Sequence, residues 1–278
     1  MKMNCPICKT QSTKVGTNTV FSKDIDVLQC KNSKCLLYFL DLPKDTSFIN
    51  DFYEKQYWDD FSNRKSSKSI SKQSLKTKLS IPISKLLGFY FQFSMRYYTY
   101  LKKHSLNSGN LLEIGCKDGR VLEFFSKKNF ICDGIEPDKQ NAAFSRTKTN
   151  GKIHNCVFED FSTKTKYNLI ILSHVLEHMI DLNSSLQKIK KLLDKNGQVF
   201  LIIPNGENNN ILNEIIYEHP HIYTFNINNI KTALENNGFK IVSSGIFNPF
   251  LMSKNILFKF LNKKQKDYSE IWVYAQKK

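Results

Sequence analysis

From Asn110 onward the chain repeats one pattern. NLLEIG, FICDGIE, KIHNCVF, YNLIILS and QVFLIIP are short runs rich in Val, Ile, Leu and Phe, parted by segments with helical spacing. Such runs offer no polar face to water, so they predict strands buried on both sides in a mostly parallel sheet covered by helices. The segment LNSSLQKIKKLLDKNG shows the helical partner: Leu182, Leu186, Ile189, Leu192 and Leu193 fall on one face, and Gly197 is expected to stop the helix. GFKIVSSGIF and EIWVYAQKK add two strands towards the C-terminus. Only a short Phe- and Lys-rich stretch separates them, which predicts that the last strand inserts antiparallel beside the other. The fold class expected is α/β.

Open sheets of this kind bind ligands at the carboxyl ends of their strands, where strand order reverses. Two stretches carry glycines and acids at such ends: LLEIGCKDG (Leu111–Gly119) and ICDGIEP (Ile131–Pro137). Gly115 and Gly119 flank the turn from the first strand into a helix, where backbone can approach a ligand and a helix N-terminus offers N–H groups to an anion. Glu136 ends the second strand about twenty residues on, placed to accept hydrogen bonds from ribose hydroxyls. A third strand end is also acidic, in Phe158-Glu159-Asp160-Phe161.

Taken together, these residues resemble the class I S-adenosylmethionine-dependent methyltransferases from about Leu111 to Phe239. LLEIGCKDG is similar to that family's E-x-G-C-G-x-G loop, and GIEP and the FEDF turn follow in order. YNLIILSHVLEHMID resembles its fourth-strand motif ending in H-V-L-E-H, and LLDKNGQVFLIIPN its LL-x-x-G-G segment. The resemblance implies a Rossmann-like methyltransferase sheet binding S-adenosylmethionine. Glu113, Gly115 and Gly119 would border the methionine moiety and Glu136 would hold the ribose. Asp160 and Phe161 would flank the adenine, with Ser173 and His174 lining the methionine end. Lys117 departs from the pattern, because the family often has glycine there, at a position that can require a positive φ. A lysine in that conformation costs on the order of 1 kcal/mol. Its ammonium is expected to point to solvent or towards an acid; the alternative is a weakened donor site.

Ahead of this domain stand Cys5-Pro-Ile-Cys8 and Cys30-KNSK-Cys35, joined by a stretch of hairpin character, with no cysteine in the next 80 residues. Two such pairs can bring four thiolates to one tetrahedral zinc, a closed site whose role is structural. The alternative is four buried free thiols. Cys116, Cys132 and Cys156 are expected in core packing. The organisation read from the sequence is a zinc ribbon over residues 1–42, a linker and helical extension over 43–108, and the methyltransferase domain over 109–278. In the extension, a helix carrying Phe52, Tyr53, Tyr57 and Trp58 precedes a Ser/Lys-rich loop at residues 62–80 and an aromatic-rich helix across Ile83–His104. A zinc ribbon followed by F-Y-x-x-x-Y-W also recurs in family members acting on sugars and other small metabolites.

In this fold the segment after the fifth strand covers the acceptor. Here it holds Glu218, His219, His221 and Tyr223 within six residues, and resembles the Y-x-E-H-x-x-Y-F region of zinc-ribbon sugar C-methyltransferases. No counterpart of the longer C-terminal domain of those enzymes is expected from these residues. His219 is the candidate base or acceptor-positioning group, with Glu218 orienting it and His178 the second choice; the alternative is a polar lid whose histidines only pack. His174-Val-Leu-Glu177-His178 also matches the inverted zinc-protease pattern H-x-x-E-H. That chemistry needs both histidines on one helical face, whereas this motif begins at the end of a buried strand.

The formal charge is +16, and between Phe61 and Leu112 ten Lys or Arg face no Asp or Glu. Such a field suits phosphate-bearing partners, or is only a solvated surface. MKMNCPICK has no apolar signal core and no eighteen-residue apolar run occurs, so a cytoplasmic protein with reduced thiols is expected. The leading expectation is methyl transfer to a small acceptor, a sugar nucleotide or surface-glycan precursor. The aromatic- and lysine-rich stretches ISKLLGFYFQFSMRYYTYLKK and Phe247–Lys266 keep open peripheral membrane contact and a lipid, quinone or lipid-linked acceptor. RNA modification, with the zinc ribbon and the basic linker gripping phosphates, is a further alternative, although no N-P-P-Y-like motif is present and nucleic acid is not the expected partner. A non-catalytic binding protein is the remaining alternative, and Lys117 is its motive.

Overall fold

The computed structural model describes residues 3–55, 106–207, 212–217, 220–247 and 269–278. The Ser/Lys-rich segment 62–80, the aromatic stretch 83–104, Tyr57, Trp58, Glu218, His219 and residues 248–266 lie outside the described residues. In chain order the elements begin with β1 (Ser12–Val20), β2 (Lys23–Cys30), β3 (Tyr38–Leu40) and α1 (Ser47–Lys55). Next come β4 (Gly109–Ile114), α2 (Arg120–Ser126), β5 (Phe130–Ile135), α3 (Lys139–Ser145) and β6 (Ile153–His154). Then follow β7 (Tyr167–Ser173), a 3-10 turn (Leu176–His178), α4 (Leu182–Leu192), β8 (Leu193–Pro204) and α5 (Leu212–Tyr217). The last are β9 (Tyr223–Thr224), α6 (Ile227–Asn236), β10 (Phe239–Phe247) and β11 (Glu270–Lys277). They belong to two compact units, Met1–Thr46 with Thr163–Lys278, and Ser47–Ser162.

In the first unit β1 and β2 form the expected hairpin, closed by Phe21 and Ser22 at φ 54° and 58° between paired Val20 and Lys23. Two successive positive φ values match the turn twist that right-twisted strands require, here without a glycine. Strand β3 pairs with β2, and β9 pairs with β3 through Tyr38↔Thr224 and Phe39↔Tyr223. The ribbon sheet is thus completed by a strand almost 200 residues downstream, and the ribbon shares one compact unit with the C-terminal half. The same unit holds β7 and β8 in parallel, with α4 as the crossover, and β11 antiparallel to both β8 and β10. The last strand does insert as expected.

Helix α4 starts where Asp181 accepts a hydrogen bond from the Ser184 N–H, and buries Leu182, Leu186, Ile189 and Leu192. It ends five residues before Gly197, because Leu193 already has extended backbone (φ −70°, ψ 143°). Gly197 serves close packing instead: a Cβ there would lie 2.8 Å from the Tyr167 carbonyl oxygen.

In the second unit β4, β5 and β6 run parallel in that order. Leu111 to Ile114 are all buried, as two-sided coverage requires. Phe125 of α2 meets Phe130 of β5 edge to face, with ring centroids 5.4 Å apart. The run KIHNCVF is strand only at Ile153–His154. Its next residue, Asn155, turns its side-chain amide onto the carbonyls of Glu136 and Pro137, which ties β6 to the end of β5. Cys116 and Cys132 are buried in this unit, and Cys156 is half-buried. Among the described residues no helix is long and apolar enough to cross a membrane.

Candidate functional site

Strand β4 delivers the chain into a loop with Gly115, Lys117 and Gly119 at φ 71°, 49° and 71°. The loop is pinned to the end of β5: the Gly115 and Cys116 N–H groups both donate to the Ile135 carbonyl, at 2.8 and 3.0 Å. The Lys117 N–H donates to Glu136 Oε2 at 2.8 Å, and the Asp138 N–H to Glu136 Oε1 at 3.0 Å. A 2% exposed carboxyl group is thereby hydrogen-bonded on both oxygens and aimed by backbone amides. Gly119 is required twice over, since its φ is left-handed and a Cβ would stand 2.9 Å from the Ser145 Cα of α3. Lys117 adopts the left-handed conformation the family leaves to glycine, and its side chain is exposed.

Behind the loop, Glu113 is 4% exposed, and its Oε2 is buried with no hydrogen-bond partner. Burial, then the charges of Glu136 and Asp118, push its carboxyl well above the usual carboxylate range. An acid left wanting one donor beside a positive-φ loop fits the ammonium end of a bound amino acid. Seven residues beyond the end of β6, Phe161 is buried with its ring edge-on to His154, centroids 4.8 Å apart, while Asp160 is exposed. Glu113 and Glu136 therefore offer acceptor oxygens beside the loop of Gly115 and Gly119, a set that fits the hydroxyls and ammonium of an S-adenosyl nucleoside with a methionine tail.

In the other unit Ser173 closes β7, and His174 follows at φ 55° with its N–H on the Ile202 carbonyl at 2.8 Å. Its ring lies between two acids, Glu270 Oε1 at 3.0 Å from Nε2 and Glu177 Oε1 at 3.6 Å from Nδ1. Burial would lower the His174 pKa; the contacts with Glu177 and Glu270 outweigh it and raise it to about 10, so the ring is a cation at neutral pH. The turn Leu176–His178 then brings Glu177, His178 and His221 together, with ligand atoms all within 4.8 Å of one another. His178 Nδ1 is 3.0 Å from the Pro220 carbonyl oxygen, which can only accept, so Nδ1 carries the proton. Burial lowers the His178 pKa and keeps the ring neutral. H-V-L-E-H is a single turn rather than a helix, and His174 is engaged with Glu270. The protease pattern is therefore not built.

Cys5, Cys8, Cys30 and Cys35 cluster with sulfurs all within 4.8 Å; the Cys5–Cys35 and Cys8–Cys30 sulfurs are 3.7 and 3.4 Å apart. Four thiolates at tetrahedral zinc distances stand about 3.8 Å from one another, so the set fits a closed structural zinc. Each pair is followed by a residue of positive φ, Lys9 at 61° and Leu36 at 49°, whose N–H returns to the Cys5 or Asn32 carbonyl. These turns fold the sulfurs inward.

A model of the methyltransferase-domain family matches residues 87–244, more than half of the chain. The chain belongs to the class I methyltransferases. Its sheet is the Rossmann-like α/β sheet of that family, with antiparallel C-terminal strands. The methyltransferase resembles the magnesium protoporphyrin IX methyltransferase of Synechocystis PCC 6803, solved with bound S-adenosylmethionine. The TM-score is 0.53 at 14% identity, over 86% of this chain and 99% of that one. A second solved S-adenosylmethionine-dependent methyltransferase, from Clostridium acetobutylicum, gives a TM-score of 0.53 at 12% identity, over 73% of this chain and 99% of that one. In sequence it is 31% identical over 105 residues to the ubiquinone biosynthesis O-methyltransferase of Pelagibacter ubique. That alignment covers 36% of this chain and spans 44% of the relative's length.

Sequence reasoning named most of these residues, but passed over Glu177, Glu270 and His221 as site members. Glu177 was visible inside H-V-L-E-H and His221 in the lid, whereas nothing local to Glu270 pointed to His174.

Proposed function

We propose that the chain transfers a methyl group from S-adenosylmethionine to a small acceptor, a sugar nucleotide or surface-glycan precursor, in the cytoplasm. The observation that supports this most is the carboxylate of Glu136, aimed by the Lys117 and Asp138 amides beside a glycine loop and the under-bonded Glu113. In this reading Glu136 takes the ribose hydroxyls, Glu113 takes the ammonium, and Gly115 and Gly119 let the tail lie against backbone. Asp160 and Phe161 flank the adenine, while Ser173 and His174 line the methionine end. A sulfonium donor brings an already activated methyl group, so the protein's tasks are alignment and exclusion of water. A hydroxyl acceptor must also lose a proton. His219, oriented by Glu218, is the proposed proton acceptor, with neutral His178 the second candidate. Cys5, Cys8, Cys30 and Cys35 hold a structural zinc, and the basic surface attracts phosphate-bearing acceptors.

A lipid or quinone acceptor at a membrane surface is the second reading, favoured by the likeness to a relative named for ubiquinone biosynthesis. Methyl-tritiated donor, offered with a nucleotide-sugar fraction or with a demethylated quinone precursor in vesicles, separates the two. Label in the aqueous nucleotide-sugar product is the expected outcome, and label in the lipid phase selects the quinone. No label in either, with no calorimetric heat on adding S-adenosylhomocysteine, overturns both.

A further inference from the structure

We propose that Glu177, His178 and His221 form a second metal site, for a divalent first-row ion held by two imidazoles and one carboxylate. Their ligand atoms lie within 4.8 Å of one another, although His221 is 43 positions from His178 and comes from a different loop. Two ligands each about 2.1 Å from an ion at a tetrahedral angle are about 3.4 Å apart, so modest side-chain rotation closes the set.

Three independent features point to a cation. Glu177 is 1% exposed, and neither carboxylate oxygen has a hydrogen bond. Its nearest positive partner, His174 Nδ1, stands 3.6 Å from Oε1 alone, and that ring is already bonded to Glu270 at 3.0 Å. A buried carboxylate so poorly matched calls for a charge that reaches it directly. His178 donates its Nδ1 proton to the Pro220 carbonyl. That arrangement fixes a ligating imidazole in metal sites, where the far nitrogen carries the lone pair. The loop bearing His221 is also held to Glu177 by backbone, since the Ile222 N–H donates to the Glu177 carbonyl at 2.8 Å. The donors are therefore set by structure on both sides of the site.

Two histidines and a carboxylate suit zinc, manganese, iron, cobalt or nickel rather than calcium, and three protein ligands leave positions open. An acceptor hydroxyl taking such a position would have its pKa lowered. That use of the ion rests on the acceptor reading above, whereas the site itself does not. Occupancy of His178 by metal would leave His219 as the proton acceptor.

Manganese(II) tests the site, because a four-thiolate centre selects zinc and leaves manganese to nitrogen and oxygen donors. With the four-cysteine centre filled by zinc, Mn(II) titrated into the full chain and followed by electron paramagnetic resonance should bind at one ion per chain. Pulsed spectra should show imidazole nitrogen coupling. Glu177→Gln and His221→Gln should each weaken binding at least tenfold while retaining the wild-type melting curve. Absence of bound Mn(II), binding without imidazole coupling, or unchanged affinity in both variants would overturn the proposal. The spectrum of the wild-type chain decides the matter even where a variant misfolds. Calorimetry with S-adenosylhomocysteine on the same sample reports the donor site separately, so failure of one reading is not mistaken for failure of the other.

Discussion

Glu136 and Glu177 are equally buried, at 2% and 1% exposure, and otherwise opposite. Glu136 receives an N–H on each oxygen from its own unit, whereas neither carboxylate oxygen of Glu177 receives a hydrogen bond and only His174 Nδ1, 3.6 Å from Oε1, stands near it. Burying a carboxylate is costly unless it is satisfied. The acid at the end of β5 is satisfied by the backbone of the loop it organises. The acid in H-V-L-E-H is left with a demand that a cation can meet. Glu113 falls on the second side of the divide, with one buried oxygen that has no hydrogen-bond partner. The comparison therefore sorts the site residues into those that build the framework and those that await a ligand.

The largest effect should come from the cysteines. Structural zinc in small domains binds with about 10–16 kcal/mol at neutral pH, so a chelator or Cys30→Ser should melt the ribbon. The loss should spread, because side chains of the C-terminal half grip the knuckle backbone. Asn226 and Asn229 donate to the Cys35 carbonyl, Asn183 to that of Pro6 and Asn236 to that of Ile7. Hydrogen exchange after chelation should therefore rise in α6 and in β9, which pairs with the ribbon. A melting temperature that moves by less than about 2 °C would break this side of the comparison.

Glu136→Gln comes next. It keeps the shape but replaces one of the two oxygens that the amides and, in the proposed reading, a ribose would share, and should cost about 2–3 kcal/mol of S-adenosylhomocysteine affinity, roughly a hundredfold by calorimetry. An affinity within threefold of wild type would mean that the satisfied acid serves only the loop.

Glu113→Gln should act in the opposite sense on the ligand-free protein. The Glu113 pKa is raised above its ordinary value of 4.5, so the native state holds a proton that the unfolded chain has released. Stability is then fully present below the unfolded pKa and is lost as pH rises towards the folded one. The ligand-free wild type should weaken from pH 4.5 upward through this group. Glu113→Gln should flatten that slope and gain about 1–2 kcal/mol at pH 7, read from urea midpoints, while losing donor affinity. A variant less stable than wild type at pH 7 would show that Glu113 is already compensated.

How much of this was legible beforehand follows from distance along the chain. The strands β4, β5, β7 and β8, the glycine loop and the acid at the end of β5 are local patterns within some thirty residues, and each could be read directly. The four cysteines were legible for the same reason. Glu270 was not, since it reaches His174 only because β11 inserts antiparallel beside β8, a pairing set by the whole sheet. His221 likewise joins His178 through β9, which completes a sheet begun at Ser12. Strand β6 was overread because an Asn side chain, satisfying two carbonyls of a neighbouring strand end, outweighs the apolar run around it.

Lys117→Gly should have the smallest effect, and it tests the framework side most finely. The lysine holds φ 49° in a loop where glycine would be unstrained, at a cost on the order of 1 kcal/mol. Glycine removes that strain but returns backbone entropy to the unfolded chain, about 0.4–1 kcal/mol in the other direction, so the net change in stability should lie within about 0.5 kcal/mol of zero. The N–H that meets Glu136 belongs to the backbone and survives the substitution. Donor affinity should accordingly change less than about threefold, since about 0.6 kcal/mol is all that such a factor represents. A tenfold gain in S-adenosylhomocysteine binding would show that the exposed ammonium opposes the donor. The loop would then be framework in its backbone and obstruction in its side chain.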